Sequence, residues 1–172
     1  LHSLSCLSFR RKGFIIMYHR IIPLAEKFPG IIQPGMYVTD ETFERHLVFL
    51  KNKFSIIPLH EMVHRIKRGQ TTGGCCSITF DDGWRDTYDM AFPLLKRHQV
   101  PASVFLASGY IGTDKWFWPE ELAWCLEKLL KQDGWDAKTD GIIKSLMPEM
   151  NSSNRNNHTN LIDSAIMKVK KY

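Results

Sequence analysis

The stretch CSITFDDGW, residues 76–84, ends an apolar run with two adjacent aspartates and follows them at once with a glycine. Its first half is typical of a buried strand, and parallel α/β folds present their functional polar groups where such strands end. Asp81 and Asp82 lie at that position. Gly83 allows the backbone to turn sharply, so that two side chains that would diverge along a strand can both reach the same rim.

Two ionised carboxylates this close repel each other unless a cation neutralises one of them. A divalent metal bound by one carboxylate would leave the other free to accept a proton from water, which is the division of labour in metal-assisted hydrolysis. A simpler alternative is that one aspartate caps the following helix while the other is solvated. The pattern by itself leaves both interpretations open.

Four short runs with strand character are separated by helical patterns, which is the alternation expected of parallel βα units. The runs are Phe14–Tyr18, Ser55–Pro58, Ser77–Asp81 and Ala102–Ala107. After the first run we expect a loop with turns at Pro29–Gly30 and Pro34–Gly35, and we expect helices to begin at Thr39, His60 and Trp118. The sequence therefore predicts an α/β fold as far as about Lys131.

The composition changes beyond that point. Residues 133–160 contain scattered Gly and Pro and the polar stretch NSSNRNNHTN, so we expect an insertion or a loop there. Residues 161–172 predict the start of a truncated amphipathic helix. With residues 1–12 as an N-terminal extension, the predicted organisation is an α/β region over residues 13–132 followed by this loop and helix.

The bulk composition fits one globular domain. The chain has 172 residues, 44% hydrophobic and 24% charged, and its apolar runs are far shorter than the roughly 20 residues that cross a bilayer. The net charge of +5 is scattered, which argues against nucleic acid as a partner. We expect the four cysteines to be free thiols or small core residues, and no signal peptide is visible, which leaves the compartment open.

Three segments in order resemble the polysaccharide deacetylases with a NodB-type catalytic domain. They are MYHRI at 17–21, ITFDDG at 78–83 and VPASVFLASGYIG at 100–112, and the similarity extends from about Gly13 to Leu122. The resemblance implies a deformed (β/α) barrel, here an N-terminal part of it. It also implies hydrolysis of N-acetyl groups from the amino sugars of a polysaccharide, with a divalent metal ion such as zinc.

Residue by residue, the resemblance gives Asp81 the role of the general base and Asp82 that of a metal ligand. His19 would lie at the end of the first strand and face the same mouth, where it would contact the substrate. The alternative for His19 is a hydrogen-bonded structural histidine. The implied partner is a polysaccharide that contains N-acetylated amino sugars.

The family completes its metal site with two histidines in an H-x-x-x-H or similar motif, and nothing after Ala107 fits that motif. His158 is the only later histidine and lies in the Asn-rich stretch. Two explanations compete: the chain is the N-terminal part of a longer deacetylase, or it is a degenerate relative that no longer binds metal. On either explanation we expect little hydrolase activity from this polypeptide alone, because one aspartate leaves most of a metal's coordination to water.

A rival motif is HEMVH, residues 60–64, which matches the H-E-x-x-H pattern of zinc metalloproteases. Its context is unfavourable, because Pro58 places His60 in the first turn of a short helix and the charged Arg65 follows the second histidine. We therefore expect an ordinary amphipathic helix, and the metalloprotease is a remote alternative.

The stretch KWFWPEE, residues 115–121, gathers Trp116, Phe117 and Trp118. Aromatic faces bind the apolar faces of sugars, so a non-catalytic carbohydrate-binding protein is the alternative to an enzyme. The same rings could instead anchor their loop against the barrel.

Overall fold

The structure is a computed structural model that describes residues 12–24, 35–132, 134, 136–150 and 158–170. Residues 1–11 and the turns predicted at Pro29–Gly30 and Pro34 lie outside the described residues. The described chain forms two compact units, one with residues up to Ile111 and the other with residues from Gly112. No helix in this described part is both long and apolar enough to cross a membrane.

Parallel strands build the first unit. Its strands are β1 (Phe14–Tyr18), β2 (Arg20–Ile22), β3 (Tyr37–Thr39), β4 (Ser55–Ile56), β5 (Cys75–Phe80) and β6 (Ser103–Val104). β5 is central and wholly buried: β1 pairs with it over five residues, β4 pairs with its start and β6 with its end, all in parallel. The four predicted strands are therefore confirmed, β1 with its predicted bounds and the other three with shifted or shorter ones.

A second, two-stranded parallel sheet is formed by β2 and β3, with Ile21 opposite Val38. The sequence does not predict either strand, because three residues are too few to show the alternation of a strand. The pairing holds the segment after β1 against the start of the first helix, and Ile21 and Ile22 are buried there.

The helices of the first unit are α1 (Asp40–Lys53), α2 (Leu59–Lys67) and α3 (Phe92–His98). The predicted start at Thr39 is confirmed, since its side chain accepts a hydrogen bond from the Thr42 N–H. α1 buries Phe43, Leu47 and Leu50 against the sheet. These side chains form the core of the unit with residues of β1 and β5.

A π-helical turn, Thr87–Ala91, precedes α3. The N–H of Phe92 donates to the carbonyl of Thr87, five residues earlier. Pro93 has no N–H to continue a regular α-helical ladder, so the turn before it widens. Pro93 is the second residue of α3, which begins directly after this turn.

The second unit consists of α4 (Trp118–Leu130), α5 (Ala137–Leu146) and α6 (His158–Val169). The predicted start of α4 at Trp118 is confirmed. α5 lies within residues 133–160, for which the sequence predicts an insertion or a loop, so a loop over this whole segment is not what the structure has. The side chain of Asp136 caps this helix by accepting the Thr139 N–H at 2.7 Å, and Ile143 is fully buried. Local polarity therefore did not prevent a helix that has one cap and one apolar face.

The described cysteines are free thiols, as predicted. Cys75 and Cys76 are buried and Cys125 is exposed. Burial raises the pKa of the Cys76 thiol to about 11, so it is protonated at neutral pH and acts as a small core residue.

Candidate active site

The register between β1 and β5 determines where the site lies. Tyr18, the last residue of β1, is directly opposite Phe80, the last residue of β5. The N–H of Asp81 donates to the carbonyl of Tyr18 at 2.9 Å, which extends this pairing by one residue. Because the two parallel strands end together, His19 and the aspartate pair emerge at the same edge of the sheet.

The backbone turns at Asp82 and Gly83, both of which have positive φ, +70° and +72°. The predicted sharp turn is present, and it begins one residue earlier than the glycine. A left-handed conformation costs a residue with a side chain roughly 1–2 kcal/mol, although Asp tolerates it better than most. Residues held in such conformations cluster at functional sites, where surrounding contacts keep them in place.

The imidazole of His19 contacts the carboxylate of Asp82, with Nδ1 3.2 Å from Oδ2. An ionised carboxylate only accepts hydrogen bonds, so Nδ1 carries the proton in this contact. The other ring nitrogen, Nε2, is then an acceptor in the neutral imidazole. Both side chains are partly exposed, His19 by 20% and Asp82 by 33%, and are therefore accessible to a ligand.

A second donor reaches the same carboxylate oxygen. The indole N–H of Trp84 lies 3.3 Å from Oδ2 of Asp82. Neither aspartate caps the helical turn that follows, since its N-cap is Asp86 and makes no side-chain capping bond. Within the described residues no hydrogen bond or ion pair involves the carboxylate of Asp81, which leaves it accessible to water.

Arg20 contacts the face of the Trp84 ring, and Asp86 in turn binds Arg20. The guanidinium carbon of Arg20 lies 4.4 Å from the centroid of the Trp84 ring, in cation–π geometry. Arg20 also forms an ion pair with Asp86 at 2.7 Å, and the other oxygen of Asp86 accepts the Ile21 N–H at 3.1 Å. The segment after β1 is thus tied to the segment after β5.

The structure brings together all three residues singled out from the sequence: Asp81, Asp82 and His19. Sequence reasoning missed Arg20, Trp84 and Asp86. The only signal for them is proximity, because each lies within four residues of a predicted site residue. Their contacts connect positions about 65 residues apart, and no local pattern predicts such contacts.

A groove of about 730 Å³ begins beside the aspartate turn. Gly83 and Trp84 line one end of it, and Tyr88, Phe92 and Leu106 continue its largely apolar wall. The rings of Tyr88 and Phe92 stack with centroids 5.7 Å apart. A concave surface with exposed aromatic rings next to ionisable groups is the usual setting of a small-molecule or sugar site.

The described residues do not form a complete set of metal ligands. No group of three or more His, Cys, Asp or Glu residues that could hold a metal ion occurs among them. Oδ2 of Asp82 is occupied by two donors, which leaves Oδ1 as the oxygen best placed to ligate a cation. A carboxylate oxygen is a suitable ligand for a divalent ion, but further ligands are needed for tight binding.

The HEMVH segment lies on α2, where His60 and His64 are exposed. Glu61 is engaged with Arg65 at 2.8 Å, and this hydrogen bond lowers the pKa of the glutamate. A glutamate held by an arginine is a poorer proton acceptor than the base of a metalloprotease requires. No third ligand for the two imidazoles is present in the described residues.

The aromatic segment before α4 is exposed. Trp116 and Trp118 are 55% and 43% exposed, and Trp116 contacts Trp124 edge-to-face with centroids 6.0 Å apart. Lys128 lies over the Trp124 ring at 5.6 Å. These rings retain large accessible surfaces.

Comparison with known sequences identifies the family. The profile of the family described as polysaccharide deacetylase matches residues 68–168, which is more than half of the chain. A poly-beta-1,6-N-acetyl-D-glucosamine N-deacetylase from Staphylococcus epidermidis is 34% identical over 77 residues, and one from Staphylococcus aureus is 30% identical over 78. These alignments cover 44% and 45% of this chain and 27% of each relative. The aligned part is thus about a quarter of the length of these curated relatives.

Solved structures show the same fold. The IcaB protein of Ammonifex degensii is similar with a TM-score of 0.51 and 25% identity, over 62% of this chain and 42% of that one. The Streptococcus pyogenes deacetylase PplD is similar with a TM-score of 0.50 and 17% identity, over 87% of this chain and 70% of that one. The predicted α/β fold, a partial deformed (β/α) barrel, is confirmed by these similarities.

The chain belongs to the polysaccharide deacetylase family. Its curated relatives are named N-deacetylases, which are hydrolases of carbon–nitrogen bonds other than peptide bonds.

Proposed function

We propose that this chain carries the aspartate pair of a metal-dependent polysaccharide deacetylase, which removes N-acetyl groups from the amino sugars of a polymer. The substrate class follows the named activity of the relatives, poly-β-1,6-N-acetylglucosamine. The observation that carries the proposal is the contact between His19 and Asp82, beside the Asp81 carboxylate, which makes no hydrogen bond or ion pair within the described residues. The proximity of these three side chains at one sheet edge supports the assignment of a proton acceptor, a metal ligand and a substrate contact to them.

Asp81 is the general base in this proposal. Its carboxylate would accept a proton from the water that attacks the acetyl carbon, and the carbon–nitrogen bond would break as this proton passes to the leaving nitrogen, to give acetate and a free amine. The lack of a competing partner among the described residues favours this role. A carboxylate already engaged with a cation would be a weaker base.

Asp82 is the candidate metal ligand. His19 and Trp84 both donate to Oδ2, which leaves Oδ1 for a divalent cation. A cation bound there supplies Lewis acidity at the acetyl carbonyl. The described residues hold no group of three or more potential ligands, so further ligands have to complete the site. The expectation that this chain lacks the family's metal-binding H-x-x-x-H motif after Ala107 stays a prediction from the sequence.

His19 has two tasks in this arrangement. Its Nδ1–H orients Asp82, and its Nε2 lone pair can accept a hydrogen bond from a hydroxyl or acetamido N–H of the sugar. The two alternatives considered for this residue, substrate contact and structural hydrogen bonding, are therefore compatible with each other.

Metal titration with matched variants tests the division of roles. Asp82→Asn keeps the shape of the side chain and should weaken Mn²⁺ or Zn²⁺ binding by about tenfold or more, whereas Asp81→Asn should leave it unchanged. In assays of acetate release from β-1,6-linked N-acetylglucosamine oligomers, Asp81→Asn should abolish the low rate expected of the parent chain. Equal effects of both changes on metal affinity would show that the assigned roles are wrong.

A non-catalytic carbohydrate-binding protein is the second candidate function. The exposed rings of Trp116, Trp118 and Trp124 favour it, because such rings stack on pyranose faces. Binding of N-acetylglucosamine oligomers that is independent of metal, produces no acetate and is lost in Trp116→Ala would support this candidate over the enzyme.

A further inference from the structure

We propose that Trp84 is a positioning residue that sets the orientation of the Asp82 carboxylate, and that Arg20 and Asp86 hold the Trp84 ring in place. This inference rests on the proposed role of Asp82 as a metal ligand. It assigns a role to three residues that no motif in the sequence marks as functional.

The two donors to Asp82 reach one oxygen from different segments of the chain. His19 follows β1 and Trp84 follows β5, yet both lie within hydrogen-bonding distance of Oδ2, at 3.2 and 3.3 Å. Rotation of an aspartate carboxylate about its last torsion has only broad preferences, so a free carboxylate samples many orientations. Two donors on one oxygen restrict that rotation and fix the direction in which Oδ1 points.

The Trp84 ring is itself held in place by a contact on its face. Arg20 lies over the ring at 4.4 Å, and its charge is balanced by Asp86 at 2.7 Å. Both partners of this ion pair are largely buried, with 12% and 13% of their side chains exposed. A buried, hydrogen-bonded ion pair keeps its geometry far better than an exposed one, because losing either partner leaves an uncompensated charge.

Backbone strain at the site explains why such support is needed. Asp82 has φ +70°, and an unusual conformation persists only when neighbouring contacts impose it. The bonds from His19 and Trp84 act directly on this residue. The Arg20–Asp86 pair, through the Ile21 N–H, also fixes the segment that carries His19. The Arg20–Asp86 pair therefore helps to fix the positions of both donors to Asp82, which are His19 and Trp84.

Tryptophan indole NMR tests the contact without any metal. The chain has five tryptophans, so a sample labelled with ¹⁵N at the indoles gives five signals, and Trp84→Phe identifies the one from Trp84. Asp82→Asn should move the Trp84 signal and leave the Trp124 signal, which belongs to the other unit, unchanged. A Trp84 signal that does not respond to Asp82→Asn would overturn the proposal.

Metal affinity tests the positioning role itself. Trp84→Phe keeps an aromatic face for Arg20 but removes the N–H donor, and it should weaken Mn²⁺ binding by about tenfold, as loss of an outer-shell partner does. Trp124→Phe is the matched control and should leave binding unchanged. Backbone amide ¹H–¹⁵N signals of the first unit report whether the Trp84 variant keeps its fold, since Trp84 lies in that unit.

The outcomes separate the two proposals. If Asp82→Asn leaves Mn²⁺ affinity unchanged, the proposed function of Asp82 is wrong. If Asp82→Asn weakens binding but Trp84→Phe does not, the proposed function stands and the positioning role of Trp84 is overturned. Weakening by both, with Trp124→Phe unchanged, supports both.

Discussion

Nδ1 of His19 lies 3.2 Å from Oδ2 of Asp82, although 63 residues separate the two in sequence. The parallel pairing of β1 and β5 brings about this contact, because Tyr18 and Phe80 are opposite each other and both strands end there. The residues that follow the two strands, His19 after β1 and the aspartate pair after β5, therefore lie close together. The contact links the fold of the first unit directly to the geometry of the candidate site.

The first prediction concerns the tautomer of His19. Because Asp82 can only accept, the neutral imidazole should carry its proton on Nδ1, and ¹⁵N NMR of the ring nitrogens distinguishes this form from the other tautomer. Asp82→Asn should increase the population with the proton on Nε2. A dominant Nε2–H form in the parent chain would contradict the contact.

A second prediction concerns strain at Asp82. Glycine adopts φ +70° without a side-chain clash, whereas alanine does not, so Asp82→Gly should be more stable than Asp82→Ala by about 1 kcal/mol. Urea unfolding of the two variants measures the difference in the free energy of unfolding. Both variants lack the carboxylate, so both should bind Mn²⁺ equally weakly.

Gly69, at φ +65° and with open space around its Cβ position, provides the reference for this experiment. Gly69→Ala should destabilise the chain by about the amount that separates Asp82→Ala from Asp82→Gly, because it introduces the same backbone strain away from the site. An Asp82→Ala variant as stable as Asp82→Gly, beside a destabilised Gly69→Ala, would show that residue 82 relaxes out of the left-handed region.

The sequence predicts the framework of the first unit well, because its strands β1 and β5 are continuous apolar runs that end in distinctive residues. For the same reason it predicts that the aspartate pair and His19 lie at one edge of the sheet. It fails for β2 and β3, which are too short to show a period. It also fails for α5, because the polar composition of that segment predicts a loop. The cap at Asp136 and the buried side chain of Ile143 stabilise a helix there.

The support around Asp82 could not be predicted for a different reason. Arg20 and Asp86 are charged residues, which are usually solvated, and nothing local indicates that they form a buried pair. Trp84 is a large aromatic residue of the kind that usually packs in a core, but here its indole N–H donates a hydrogen bond to Asp82. Each of these roles arises only when β1 and β5 pair, so it is a property of the tertiary structure.

A third prediction separates the deacetylase from the metalloprotease. Glu61→Ala removes the glutamate of HEMVH, which here is bonded to Arg65 at the surface of α2. Metal affinity and any acetate release should be unchanged, and the loss of stability should be small. Loss of metal binding in His60→Ala or His64→Ala would favour the metalloprotease, because its two imidazoles bind the metal and its glutamate is the base. His60→Ala and His64→Ala serve as companion variants, with the same expected result.

The last prediction concerns acid sensitivity of the first unit. Glu44 of α1 bonds to His98 at the end of α3 at 2.8 Å and to Arg97 at 3.1 Å. The hydrogen bond from His98, followed by that from Arg97, lowers the pKa of Glu44 below its ordinary value of 4.5. The folded state thus binds this proton less readily than the unfolded state. The stabilisation by Glu44 is complete above about pH 4.5 and is lost as the pH falls through the lowered pKa.

Urea unfolding between pH 6 and pH 3 tests this sign. Glu44→Gln should be less stable than the parent chain at pH 6, and the difference should shrink as the pH falls below 4.5. In a His98→Gln background the same substitution should show a weaker dependence on pH, because the principal partner is absent. A stability difference that stays constant over the whole range would mean that the contact between Glu44 and His98 does not link α1 to α3 in solution.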